Sequence, residues 1–107
     1  MAVIEWTDKA WQLYNEYLEN SRYEYGAKTA RRWEKELLNI YDRLKLHPTS
    51  YTLESLLDGK RVLFRRCHIM NRRFKIIYYY DEAEDVVHLV DIWDTKMNPK
   101  TLMRRIK

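Results

Sequence analysis

The sequence predicts an α+β domain of order β-α-α-β-β-β, with two antiparallel helices on one face of a small, mostly antiparallel sheet. Three observations carry that reading. Ala30, Trp33, Leu37, Ile40/Tyr41 and Leu44 form an apolar stripe at helical spacing, with Arg31, Arg32, Glu34, Lys35 and Asp42 on the other faces. Strand-like runs at 61–67, 74–80 and 86–93 then fill the second half of the chain with β-branched and aromatic residues. The links between them, Met70-Asn71 and 81–85, are short and polar, which predicts an antiparallel meander.

Val3-Ile4-Glu5-Trp6 is a short apolar run stopped by Thr7-Asp8, which predicts a first strand. Thr7 is placed to cap a helix, because its hydroxyl accepts an amide proton that the first turn leaves unpartnered. Ala10, Leu13/Tyr14 and Tyr17/Leu18 give that helix its apolar stripe, and it should end between Asn20 and Gly26. The second helix stops at His47-Pro48, since proline disfavours helical backbone at the residue before it. A short link between two such helices favours an antiparallel pair. Residues 49–59 read as a loop, with a turn of helix around Leu53, Leu56 and Leu57 and a turn at Asp58-Gly59. Asn98-Pro99 starts a short C-terminal helix, with Asn98 as cap and Pro99 at the first position. No repeat or linker divides the chain, so residues 1–107 are expected to form one domain.

A chain of 107 residues can bury roughly two-thirds of its unfolded surface, enough for one modest core. The single Cys excludes an intramolecular disulfide framework, and no Cys/His cluster has zinc spacing. No apolar run approaches the roughly 20 residues needed to cross a membrane. Met1 to Trp6 lacks the pattern of a secretory signal, so a cytoplasmic location is expected. With no Gly-rich phosphate loop and no paired carboxylates, neither metal nor cofactor is expected.

The net charge of +4 averages over an uneven chain. Lys60, Arg61, Arg65, Arg66, Arg72, Arg73 and Lys75 fall in one stretch without an acid, and Lys96, Lys100, Arg104, Arg105 and Lys107 in another. The rest holds 8 of the 20 basic residues against all 16 acids, so an acidic body carries two basic segments. Such polarity points to an anionic partner, phosphates first, although solvated strand and tail charges would give the same count.

Alternation along the run 74–80 puts Phe74, Ile76, Tyr78 and Tyr80 on one face, expected to meet the helices, and Arg73, Lys75, Ile77 and Tyr79 on the other, expected to be open. In the preceding run, either Arg65 or Arg66 shares that open face with Lys75. Like charges so close destabilise the sheet unless an anion or an acid lies between them. Tyr79 adds an aromatic that can stack on a base, although Tyr is also simply a good strand former. His68 falls in the hairpin, where a lone His is more often a bystander than a catalyst. His47 and His88 read as structural or surface residues. The basic neighbours of Cys67 act to lower its pKa, but no His–acid relay is placed to use it as a nucleophile.

The order Trp6…Ala10…Leu13, Leu44-x-x-His47-Pro48, Arg61-x-Leu63, Lys75-Ile76-Ile77-Tyr78-Tyr79, Val86-x-x-Leu89-Val90-Asp91-Ile92 and Asn98-Pro99-x-x-Leu102 resembles the RelE/ParE superfamily of type II toxins, in its ParE-like, plasmid stabilisation branch. The likeness spans almost the whole chain and rests on order and spacing. It implies a growth-inhibiting toxin neutralised by a cognate antitoxin, acting either by mRNA cleavage at the ribosome or on DNA gyrase. It implies phosphate or charge-stabilising roles for Arg65 or Arg66, Lys75 and Lys96. Arg61, Arg72, Arg73, Tyr79, Arg104 and Arg105 are further candidates for contact with nucleic acid.

This chain departs from the ribonuclease pattern. No Tyr or His follows Asp94, and Leu102-Met103 stand where a catalytic Tyr would lie. Lys96 in place of an Arg loses bidentate phosphate geometry. Cleavage by 2′-hydroxyl attack needs a base, an acid and charge stabilisation. The cations supply the last, and only His68, Tyr79 or a lysine of lowered pKa offer the others. These departures lean toward the non-nuclease branch. The reading from another class is a non-catalytic nucleic-acid-binding module with a basic sheet face. Oligomeric state is not legible.

Overall fold

Thr7 and Gly26 delimit the first three elements of the computed structural model, which describes residues 1–106. The Thr7 hydroxyl accepts the amide of Ala10 at 3.2 Å, separating strand β1 (Val3–Trp6) from helix α1 (Asp8–Tyr25). Gly26, at φ +91°, ends α1 and starts helix α2 (Ala27–Leu46), a reversal that a side chain would strain. Trp33 of α2 then meets α1. It stacks on Tyr17, meets Tyr14 edge-on, and donates its indole N–H to Ser21 at 2.7 Å. The antiparallel helix pair is therefore as expected.

A 3-10 turn (Ser55–Leu57) leads to strands β2 (Arg65–Ile69), β3 (Phe74–Asp81) and β4 (Val86–Asp94), and helix α3 (Pro99–Arg105) closes the fold. The sheet order is β1-β4-β3-β2; β1 pairs parallel to β4 and the other pairs are antiparallel. The predicted third-from-last strand begins four residues late. Residues 61–64 leave the sheet, Phe64 buries in the core and Leu63 faces solvent. His68 accordingly lies in β2, opposite Lys75, and not in the hairpin. The hairpin is Met70, Asn71 and Arg72, all with left-handed φ between 55° and 65°. Helix α2 holds it: Glu36 accepts the Met70 amide at 2.9 Å and Arg32 donates to Asn71 at 2.6 Å.

Ile76 and Tyr78 of β3 pack under α1 and α2 with Trp33, Leu37, Ile40 and Leu44, as alternation predicts. The opposite face is covered, contrary to the expectation that it lies open. Ile77 and Trp93 there join Leu57, Phe64, Leu102 and Ile106 in a second apolar cluster beneath α3. A bulge makes this possible. Ile77 pairs with Asp91 and Tyr78 with Leu89, so Val90 is unopposed. The parity of β4 switches at that point. Leu89 and Ile92 both reach the helical core, while Val90 and Trp93 pack in the second cluster. That switch explains a strand that is apolar on both parities.

Candidate functional site

The register decides which arginine joins Lys75. Arg66 pairs with Ile77 and His68 with Lys75, so Arg66, His68 and Lys75 share the face away from the helices. Arg65 pairs with Tyr78 on the helical side and donates to the Tyr51 carbonyl at 2.7 Å.

The shared face contains an acid that the basic run itself lacks. Glu54 is 3% exposed, and its Oε2 accepts Lys75 Nζ at 2.7 Å and lies 3.5 Å from Arg66 Nη1. Backbone bonds hold it there. The Glu54 amide donates to the Phe64 carbonyl at 2.8 Å, the Arg66 amide donates to Thr52 at 3.0 Å, and Glu54 Oε1 caps Leu56 at 3.3 Å. The segment before the 3-10 turn thus runs along the free edge of β2 and lays one carboxylate on two cations. Nothing in the sequence marks Glu54 except that it is the one acid between Asp42 and Asp58.

Beside this pair, Arg43, Tyr51, Thr52, Arg66, His68 and Arg72 line a cleft of about 310 Å³. The Arg43 guanidinium lies 3.9 Å over the Tyr51 ring and donates to both oxygens of Ser50. Burial, then Arg72, Arg66 and Lys75, push the His68 imidazole below its usual pKa, so it is neutral near pH 7. An anion in this cleft would meet three guanidiniums and no carboxylate in its walls. Cys67 is fully buried and burial pushes its thiol up, against the lowering expected from its neighbours.

The remaining candidates disperse. Arg73 forms a fork on Asp94, at 3.0 and 3.2 Å, which holds the Asp94 carboxyl below the usual carboxylate range. Arg105 grips the fully buried Asp91 and lies over Trp93. Tyr79 stacks on His88 at 4.7 Å and meets Phe64 edge-on, so the base-stacking surface expected of it is largely taken. Arg61, Arg72, Lys96 and Arg104 make no ion pair among the described residues. Lys107 lies outside them. Leu102, where a catalytic Tyr would stand, is fully buried in the second cluster. No group of metal-ligating side chains occurs among the described residues, and no helix is long and apolar enough to cross a membrane.

Residues 4–99 match the ParE toxin of the type II toxin–antitoxin system parDE. The chain belongs to the ParE toxin family. Solved structures carry the same fold. A chain of the chromosomal ParDE system from P. aeruginosa superposes with a TM-score of 0.66 at 14% identity, covering 88% of this chain and 96% of that one. The isolated RelE toxin of E. coli gives 0.59 at 10% identity, over 99% and 100% of the two chains. The intact E. coli RelBE toxin–antitoxin complex gives 0.55 at 10% identity, over 88% and 96%. No curated protein matches the sequence. This ParE-family chain is thus the toxin component of a type II toxin–antitoxin pair, whose other half is a cognate antitoxin.

Proposed function

We propose that this toxin inhibits growth through DNA gyrase and not by cutting mRNA. The observation that carries this reading is the Glu54 carboxylate on Lys75. A phosphate at Lys75 would have to displace an acid that is buried and already paired, and removing one partner of such a pair is costly. The absence of an acid–base group on α3 supports the same reading, because Leu102 there is a core residue. Arg65, Arg66, Lys75 and Lys96 are then structural or target-contacting cations and not a catalytic set.

Expression without antitoxin tests it. An SOS response, inhibited supercoiling by purified gyrase and intact mRNA are expected. Ribosome-dependent mRNA cleavage with normal gyrase activity would overturn it. One observation favours the ribonuclease reading: His68 is a neutral imidazole facing Arg66 and Lys75, the protonation state a general base needs. In that case His68→Asn abolishes cleavage and toxicity together.

A further inference from the structure

The first half of α2 carries four exposed cations on one side. Lys28, Arg31, Arg32 and Lys35, with Thr29, line a shallow groove of about 550 Å³ that has no acid in its walls. The two acids of that stretch are engaged elsewhere. Glu34 reaches Arg22 of α1 at 3.8 Å, and Glu36 is held by Arg32 at 2.7 Å and by the Met70 amide of the hairpin at 2.9 Å. Lys28, Arg31 and Lys35 make no ion pair among the described residues. This arrangement works against the helix. Residues three and four apart are neighbours on a helical surface, so Lys28 with Arg31 and Arg32, and Lys35 with the same two, form like-charged pairs. Lys28 also stands in a first turn with no acid and no side-chain cap, at the end where the macrodipole favours anions. A phosphate-bearing partner laid along the groove turns each of these repulsions into a shared attraction.

We infer that this face of α2 lies along the phosphate backbone of duplex DNA, without reading its sequence. This rests on the gyrase reading, which supplies the duplex as the DNA that the target holds. The lining of the groove selects among anionic partners. A membrane-surface helix needs an apolar face open to lipid, and the apolar face of α2, from Ala30 through Trp33 to Leu44, is buried in the core. An acidic protein surface docks around a buried aromatic or aliphatic anchor, and the groove offers none. A single strand needs rings on which its bases stack, and no aromatic side chain lines the groove. A duplex backbone needs only cations and small donors set along a line. Lys28 and Lys35 are two turns apart, about 10 Å at the α-helical rise, and a duplex carries one charge per about 1.7 Å of its axis. Each cation of the groove can therefore meet a phosphate, and the Thr29 hydroxyl adds a donor of the kind that phosphate oxygens accept.

The test is fluorescence anisotropy of the whole chain with a labelled duplex of mixed sequence, a single strand of the same length, and poly-glutamate as competitor, between about 50 and 200 mM salt. In Lys28→Gln/Arg31→Gln/Lys35→Gln, duplex affinity at the low-salt end should fall at least about tenfold, and the slope of log K against log salt should drop by about 2–3. Lys9→Gln/Lys45→Gln/Lys100→Gln removes the same charge from exposed positions on other surfaces and should lose less than about threefold. Lys28→Arg/Lys35→Arg keeps the charge and should bind like the parent. All the substituted positions are exposed, and the α2 triple variant, relieved of its like-charged pairs, should melt no lower than the parent. Absence of duplex binding at low salt, equal losses in the two triple variants, tighter binding of the single strand, or displacement of the duplex by poly-glutamate at equal charge would each overturn the inference. Supercoiling by gyrase is read with the same proteins. A parent that inhibits gyrase without α2-dependent duplex binding defeats only this inference, whereas one that binds duplex through α2 and leaves gyrase untouched defeats only the gyrase reading.

Discussion

Glu54 and Lys75 are 21 residues apart and meet at 2.7 Å, with the Glu54 side chain 2% and the Lys75 side chain 11% exposed. The contact puts a buried acid on Lys75 and beside Arg66, within a stretch that has no acid in sequence. Removing Glu54 leaves Lys75 as an unpaired, nearly buried charge, whereas removing Lys75 leaves Glu54 with Arg66 at 3.5 Å. Glu54→Ala should destabilise the fold by about 3–5 kcal/mol, Lys75→Met by less because Arg66 remains beside the carboxylate, and the double variant by clearly less than the sum. Urea denaturation of the four proteins checks this, and additive losses would mean that the pair is not coupled.

The buried Asp91 depends on Arg105 in the same way. Arg105→Met should cost about 3–5 kcal/mol, because it strands a fully buried carboxylate. The loss should appear first as loosening of α3, since Arg105 joins buried Leu102 in tying that helix to β4. Hydrogen exchange of the α3 amides and the fluorescence of Trp93, over which Arg105 lies, report it.

His68 predicts a pH dependence. Its folded pKa lies below the unfolded value of about 6.5, so the folded state binds fewer protons than the unfolded state as pH falls. The neutral imidazole therefore contributes fully above about pH 6.5, and stability declines below it as the chain approaches the folded pKa. His68→Asn should flatten that part of the stability–pH curve. An NMR titration should place the His68 pKa below the ordinary histidine value. Inorganic phosphate should raise it if the neighbouring Arg43–Arg66–Arg72 cleft takes anions.

The bulge at Val90 sets the parity of the rest of β4. Deleting Val90 should remove the bulge and leave Leu89 opposite Tyr78, Asp91 opposite Ile77 and Ile92 opposite Ile76 in unbroken alternation, so the helical core keeps its side chains and only the second cluster loses an apolar one. Retained near-UV circular dichroism and dispersed amide resonances, with shifts confined to the neighbourhood of Val90, are the expected outcome, and loss of both would show that the pairing of β4 needs the extra residue.

The Tyr14 hydroxyl is buried with no hydrogen-bond partner, and burial with the nearby Glu34 charge pushes its pKa up to about 12. Tyr14→Phe removes that unsatisfied group and keeps the ring against Trp6, Trp11 and Trp33. Stability should rise by about 1 kcal/mol, read from the thermal midpoint.

Local pattern alone determined the parts of this protein whose physics is local. The helical stripe from Ala30 to Leu44, the Thr7 and Asn98-Pro99 caps and the alternation of Phe74, Ile76, Tyr78 and Tyr80 all appear where spacing and capping chemistry put them. The family was legible too, because it rests on the order of such elements. Tertiary structure decided everything that depends on which distant groups meet. It paired β1 with β4, moved the start of β2, placed a bulge that spacing cannot reveal, and filled the face expected to be open. Above all it decided the charges. The basic stretches contain no acid, yet Glu54, Asp91 and Asp94 are brought to Lys75, Arg105 and Arg73 from 14 to 21 residues away. Ion pairing follows distance in space and not in sequence, so folding gives Arg66, Arg73, Lys75 and Arg105 an acid that the sequence around them lacks, while Arg61, Arg72, Lys96 and Arg104 make no ion pair among the described residues.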